Sequence, residues 1–249
     1  MKDFEVLGPV RTLLVRTHFI DARLEAAVRG GATQVVILGA GFDTRAYRFA
    51  ELLKDNSVFE VDHPNTQELK IQKVREAVGE APANLRYTPA DLRQDSLGGA
   101  LAQGGYRADR KTFFIWEGVT MYLPEEAVVA TLRWIAAHSA PGSCLVFDYA
   151  YRAMVQGIGN IDVDKVPEQW KQAVMRFKRL TAGEPWIFGL PDRGEEEFLR
   201  GVGLKLRRTM GMNSAEAIER YLTRQDGTIL GNIPATEQQA YLILEAEVA

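Results

Sequence analysis

Residues 39–43, Gly-Ala-Gly-Phe-Asp, follow directly on the apolar run QVVIL at 34–38. Two glycines at a strand end let the backbone turn tightly and approach a ligand closely, and a helix starting just beyond offers free N–H groups. Asp43 argues against phosphate at that place, because like unit charges ~4 Å apart repel by about 4 kcal/mol at an effective dielectric near 20. Asp43 and Thr44 are also both competent helix N-caps, whatever the ligand. More acids stand after later apolar runs. Glu60 and Asp62, in FEVD, lie about 20 positions beyond the glycines, where a carboxylate accepts from the two hydroxyls of a ribose. Both fit that spacing, and Asp62 would equally cap a helix starting at Pro64. Asp91, in ADLR, would accept from an exocyclic adenine amine or serve a turn. Glu117 leaves the apolar run TFFIW at 112–116, where an unpaired carboxylate is costly, so it requires a cationic partner such as an ammonium.

One small molecule meets these demands together. S-adenosyl-L-methionine has an adenosine half, a positive sulfonium, an amino-acid end and no phosphate.

Such residues need a scaffold that brings strand ends together, and the pattern supplies one. Short β-branched runs at 34–38, 57–61, 84–88, 112–116 and 143–149 alternate with helical stretches at 12–30, 44–54, 64–78 and 124–137. That rhythm predicts an α/β fold: a doubly wound, mostly parallel, Rossmann-like sheet with its ligand beyond the carboxyl ends of the strands. Strands at 204–210 and 239–247, around helices at 192–201 and 214–224, bring the count to seven and suit an antiparallel edge. Residues 151–190 carry no strand pattern but hold Trp170, Phe177 and Trp186, and are expected to form a helical cap over the strand ends within one domain, 1–249.

Composition narrows the partners. The chain has 249 residues, 46% of them apolar, and a net charge of −3 with both signs interspersed, so no basic stripe is available for nucleic acid or an anionic membrane. One cysteine, Cys144, and three scattered histidines give no expectation of a metal site. With no leader pattern and no apolar run near the ~18 residues of a membrane span, a cytoplasmic location is expected.

The segments VRTHFID (15–21), QVVILGAGFDTRAYRF (34–49), FEVDHPNTQELK (59–70), ADLR (90–93), IWEGVTMYL (115–123), PGSCLVFDY (141–149) and GEPWIFG (183–189) together resemble the leucine carboxyl methyltransferase family, in its bacterial branch of S-adenosylmethionine-dependent O-methyltransferases. The resemblance implies that Arg16 meets the cofactor's carboxylate, that Gly39, Ala40 and Gly41 line its methionine part with Asp43 beside them, and that Asp62 holds the ribose. It further implies that Asp91 and Leu92 hold the adenine, and that Glu117 meets the amino group. From its helical pattern alone, Arg16 reads instead as an exposed arginine on an amphipathic helix. Family members usually carry a longer segment before the arginine motif than Met1 to Leu14, so the cap is expected to supply more of the pocket wall here.

A carboxylate acceptor, on a small molecule or peptide, is ionised at pH 7 and needs no base, whereas a phenol or alcohol usually does. His63 and Tyr122 are the candidate bases, and each has a structural alternative: a histidine after a strand, and a tyrosine that only walls the pocket. Because no histidine pairs with a carboxylate at base-dyad spacing, carboxyl methylation is the expectation, with hydroxyl methylation or a non-catalytic cofactor-binding protein as alternatives. Tyr122 and Trp186 are the expected acceptor contacts. A nicotinamide oxidoreductase is disfavoured by Asp43 and by the absence of G-x-G-x-x-G.

Overall fold

In the computed structural model of the protein the described residues are 2–160, 164, 168, 171, 175, 185–230 and 241–249. Helix α1 (Lys2–Arg29) leads into β1 (Gln34–Leu38), two short helices, α2 (Arg45–Arg48) and α3 (Ala50–Leu53), and β2 (Ser57–Asp62). Then come α4 (Pro64–Ala77), β3 (Leu85–Pro89), α5 (Leu97–Gly104), β4 (Thr112–Trp116), a 3-10 turn (Thr120–Tyr122), α6 (Glu125–Ala137) and β5 (Cys144–Ala150). Helix α7 (Arg152–Asn160), α8 (Glu195–Gly201), β6 (Leu204–Gly211), a helical stretch over 215–222 and β7 (Tyr241–Val248) complete the described elements.

The seven strands form one sheet in the order β3-β2-β1-β4-β5-β7-β6. Strands β1 to β5 pair in parallel, while β7 runs antiparallel to both β5 and the outermost β6. This is the doubly wound, mostly parallel sheet with an antiparallel edge that the pattern predicts. Strands β1 and β4 are buried at every position, which explains their uninterrupted apolar sequence.

Strand parity divides the core in two. Val36, Leu38, Phe59, Val61, Phe114 and Trp116 face α5, α6 and α8, whereas Val35, Ile37, Val58, Phe113, Ile115 and Val146 face α1 and the 215–222 stretch. By the same parity Glu60 and Asp148 fall on the α1 side. Helix α5, in LGGALAQGG, has no helical signature in the sequence because glycines weaken helix propensity. It forms nonetheless, since Ser96 caps it, Leu97 and Leu101 bury, and Gly98 lets Trp134 close in; a Cβ there would sit 2.3 Å from the indole Nε1.

Trp170 and Phe177, with most of 161–184, lie outside the described residues. The flanks of the expected cap meet at the tip of β5: the Leu190 N–H donates to the Ala150 carbonyl at 3.0 Å, and the Arg152 N–H to the Leu190 carbonyl at 2.7 Å. Among the described residues no helix is long and apolar enough to cross a membrane.

Candidate functional site

The ends of β1, β2, β4 and β5 and the start of β7 share one edge of the sheet. There Gly39 adopts φ +63°, and a Cβ on it would come within 2.4 Å of Cγ2 of Val119, so glycine is required both for the turn and for the close approach to the β4 exit. Two cavities adjoin at Gly39. One, of about 330 Å³, is lined by residues including Arg16, Ala40, Gly41, Asp43, Arg45 and Glu117. The other, of about 710 Å³, is lined by residues including Asp62, His63, Asp91, Leu92, Tyr122 and Ile187.

The smaller cavity is walled by a network of ion pairs. Glu117 accepts from Arg16 Nε at 2.8 Å through Oε1 and from Arg45 Nη1 at 2.6 Å through Oε2, which supplies the cationic partner its position demands. Arg16 Nη1 also donates to Asp148 Oδ2 at 3.0 Å and to the Tyr241 hydroxyl at 2.9 Å, and that hydroxyl in turn donates to Asp148. Asp148 is fully buried and takes the Gly118 N–H at 2.6 Å through Oδ1. Arg16 is therefore a pocket residue and not an exposed helix arginine.

Arg45 is held from three sides, by Asp21 at 2.7 Å, Asp43 at 2.5 Å and Glu117. Asp43 also caps the start of α2 by accepting the Arg45 N–H at 2.6 Å, while Thr44 makes no side-chain cap bond. Arg45, shared with Asp21 and Glu117, offsets part of the charge of Asp43, so Asp43 repels a phosphate less than an unpaired carboxylate would. Among the described residues, Nη2 of Arg16 and Nη2 of Arg45 have no hydrogen-bond partner. Burial works against both cations, but the surrounding carboxylates outweigh it and raise both pKa values above the ordinary arginine range. Burial pushes the Asp148 carboxyl up, opposed by Arg16, Tyr241 and the Gly118 N–H.

In the larger cavity Asp62 accepts the Gly41 N–H through Oδ2 and the His63 N–H through Oδ1 at 2.6 Å, fastening the glycine loop to the end of β2. Each oxygen keeps a second acceptor position. Glu60, the other acid of that motif, lies one pleat deeper and is closed off, pairing with Lys70 at 2.5 Å. Burial, against the pull of Lys70, pushes the Glu60 carboxyl up to about 7. Asp62 is thus the acid available to a ligand.

Asp91 and Leu92 line the cavity, but both oxygens of Asp91 already accept two donors each: the Arg93 N–H and Nε on one, Arg93 Nη2 and Gln94 Nε2 on the other. These bonds, those from Arg93 foremost, hold its carboxyl below the usual range. A ligand amine has to displace one of them. His63 caps α4, its Nδ1 accepting the Asn65 N–H at 3.3 Å, so a neutral ring carries its proton on Nε2. Tyr122 lines the same cavity from the 3-10 turn. Trp186 is half-buried and stacks on Tyr241, with ring centroids 5.7 Å apart and planes 22° apart. It is its neighbours Pro185 and Ile187 that line the larger cavity, where the Ile187 and Phe188 N–H groups hang on the Met121 carbonyl at 2.8 and 3.2 Å.

Arg45, Asp148 and Tyr241 join the network without a motif or spacing that marks them as ligand residues. The aspartate interrupting the apolar run of β5 was a usable signal for Asp148.

The sequence profile of the leucine carboxyl methyltransferase family matches residues 3–136, more than half of the chain. The chain belongs to that family. It is 39% identical over 193 residues to YktD of Bacillus subtilis (strain 168), covering 78% of this chain and 60% of that protein. A Mycolicibacterium gilvum (strain PYR-GCK) relative is 40% identical over 151 residues, 60% of this chain and 47% of its own length. The chain thus spans less than two thirds of these relatives. In fold it is similar to an O-methyltransferase family protein from Burkholderia thailandensis, with TM-score 0.53 and 13% identity, over 96% of this chain and 58% of that one. It is also similar in fold to the magnesium protoporphyrin IX methyltransferase of Synechocystis PCC 6803, with TM-score 0.52 and 14% identity, over 96% and 86% of the two chains.

Proposed function

We propose that the protein is an S-adenosyl-L-methionine-dependent methyltransferase acting on an oxygen of a small organic acceptor. The observation that carries this reading is the pair of cavities joined at Gly39, one lined by Arg16, Arg45 and Glu117 and the other by Asp62 and Asp91. Together they suit a ligand with an amino-acid end and a nucleoside end. Relatives in Bacillus subtilis and Mycolicibacterium gilvum carry names that provisionally assign them S-adenosyl-L-methionine-dependent methyl transfer, which agrees.

In this reading the cofactor supplies an electrophilic methyl group on a sulfonium. Arg16 and Arg45 orient the cofactor's carboxylate, Glu117 its ammonium, and Asp62 its ribose hydroxyls. Asp91 takes the adenine amine after releasing Gln94 or Arg93. We assign 151–190 as the cap that excludes water on the acceptor side, a reading supported by its two flanks meeting at the tip of β5. Orientation and water exclusion can account for much of the acceleration, since well-aligned reactants gain on the order of 7–11 kcal/mol.

Two acceptor classes follow from different observations. A carboxylate needs no base, and His63 with Nδ1 occupied by the Asn65 N–H is poorly disposed to act as one. A hydroxyl acceptor is favoured by Tyr122, the remaining candidate base, lining the larger cavity. Methyl transfer from labelled cofactor to matched panels of carboxylic acids, phenols and alcohols, each across pH 5–9, decides between them. Transfer to acids with a flat profile above the acceptor's own pKa supports the first, and transfer to hydroxyls rising with pH supports the second. Transfer to neither panel removes the oxygen assignment.

A further inference from the structure

The Tyr241 hydroxyl stands between two charged groups, accepting from Arg16 Nη1 at 2.9 Å and donating to buried Asp148. Its ring meanwhile stacks on Trp186, in the segment that walls the larger cavity and is fixed through Ile187 and Phe188 to the carbonyl beside Tyr122. Tyr241 opens β7, and the antiparallel insertion of that strand next to β5 sets Tyr241 opposite Ala150, two residues past Asp148. A single side chain therefore touches both the arginine of the smaller cavity and Trp186, whose neighbours Pro185 and Ile187 wall the larger one.

We propose that Tyr241 is a positioning residue: through its hydroxyl it aims Arg16 at the ligand's amino-acid end, and through its ring it ties that aim to the placement of Trp186. The proposal rests on the cofactor reading above. Asp148 already fixes Arg16 Nη1 and the Gly118 turn. Without the hydroxyl the guanidinium keeps Asp148 and Glu117 but loses the contact that holds Nη1 on the β7 side. Displacing Trp186 shifts the ring that carries that hydroxyl.

Tyr241→Phe keeps the ring and removes only the hydroxyl, whereas Trp186→Leu removes the stack and keeps the hydroxyl. Calorimetry would compare S-adenosylhomocysteine with 5′-methylthioadenosine, which lacks the amino-acid end. Tyr241→Phe is expected to weaken S-adenosylhomocysteine about tenfold, the lower end for losing a hydrogen bond to a charged group, and to leave 5′-methylthioadenosine within about twofold. Trp186→Leu should show a smaller loss of the same selectivity, about threefold, that disappears in the Tyr241→Phe background because both act through one contact. Equal losses for the two ligands would mark a purely structural role and overturn the proposal, as would an unchanged S-adenosylhomocysteine affinity in Tyr241→Phe. A Trp186→Leu loss that persists undiminished in the double variant would overturn the coupling. Wild-type protein binding neither ligand would overturn the cofactor reading as well, and is distinguishable because no variant is involved.

Discussion

Replacing Glu117 by glutamine tests the clamp at its centre. The carboxylate divides its oxygens between Arg16 and Arg45, at 2.8 and 2.6 Å. An amide can accept from only one of the two, and turns its NH₂ toward the other guanidinium, donor against donor. Arg16 retains Asp148, and Arg45 retains Asp21 and Asp43, so the fold keeps most of the pairing that neutralises both cations. We expect a stability loss of about 1–2 kcal/mol, or roughly 2–8 °C in Tm for a chain of this size. A bound ligand loses more, because its ammonium forfeits a charged acceptor worth about 1.5–3 kcal/mol, a factor of about 10–150 in affinity. Calorimetric titration of Glu117→Gln should therefore show S-adenosylhomocysteine weakened within that range and 5′-methylthioadenosine nearly unaffected. Equal weakening of both would mean that the substitution acts by disordering the pocket. Unaltered binding of both would refute the placement of the amino-acid end beside Glu117.

Gly39→Ala should weaken both ligands together and lower Tm, since the left-handed turn costs about 1 kcal/mol with a side chain and the new methyl must push Val119 toward the larger cavity; a variant with wild-type Tm and affinities would show that the loop yields. Asp62→Asn should weaken both ligands about tenfold, because the ribose is common to them, and an effect confined to S-adenosylhomocysteine would move Asp62 off the nucleoside. For the buried Glu60–Lys70 pair the raised carboxyl pKa sets the sign: stability from Glu60 is fully present below its ordinary 4.5 and is lost as pH rises through about 7. Denaturant unfolding of the Glu60→Gln/Lys70→Met double variant should then lack the fall in stability that wild type shows between those pH values, and an identical slope in both proteins would contradict the shift.

Much of this site was legible because the sheet announces itself. Strands β1 and β4 are covered on both faces and so read as unbroken apolar runs, and the residue after each such run must lie at the ligand edge. That logic places Glu117, while the spacing of about 20 positions from the glycines brings in Glu60 and Asp62 together. It could not separate Glu60 from Asp62, which share strand parity and differ only in depth, a matter of how far α4 reaches along β2 to offer Lys70. Arg45 was hidden among the charges of TRAYR, where spacing alone does not show which guanidinium turns inward. Tyr241 lies 225 positions from Arg16, and only the antiparallel insertion of β7 beside β5 brings them within 2.9 Å. Such pairings are set by strand order, which local periodicity does not encode.

In the proposed reading the two cavities at Gly39 hold one ligand with a nucleoside end and an amino-acid end. Isothermal titration of the wild-type protein with S-adenosylhomocysteine and, separately, with NAD tests it directly. One-to-one binding of S-adenosylhomocysteine and no detectable heat of binding with NAD are expected. Binding of NAD at concentrations where S-adenosylhomocysteine fails to bind would contradict it.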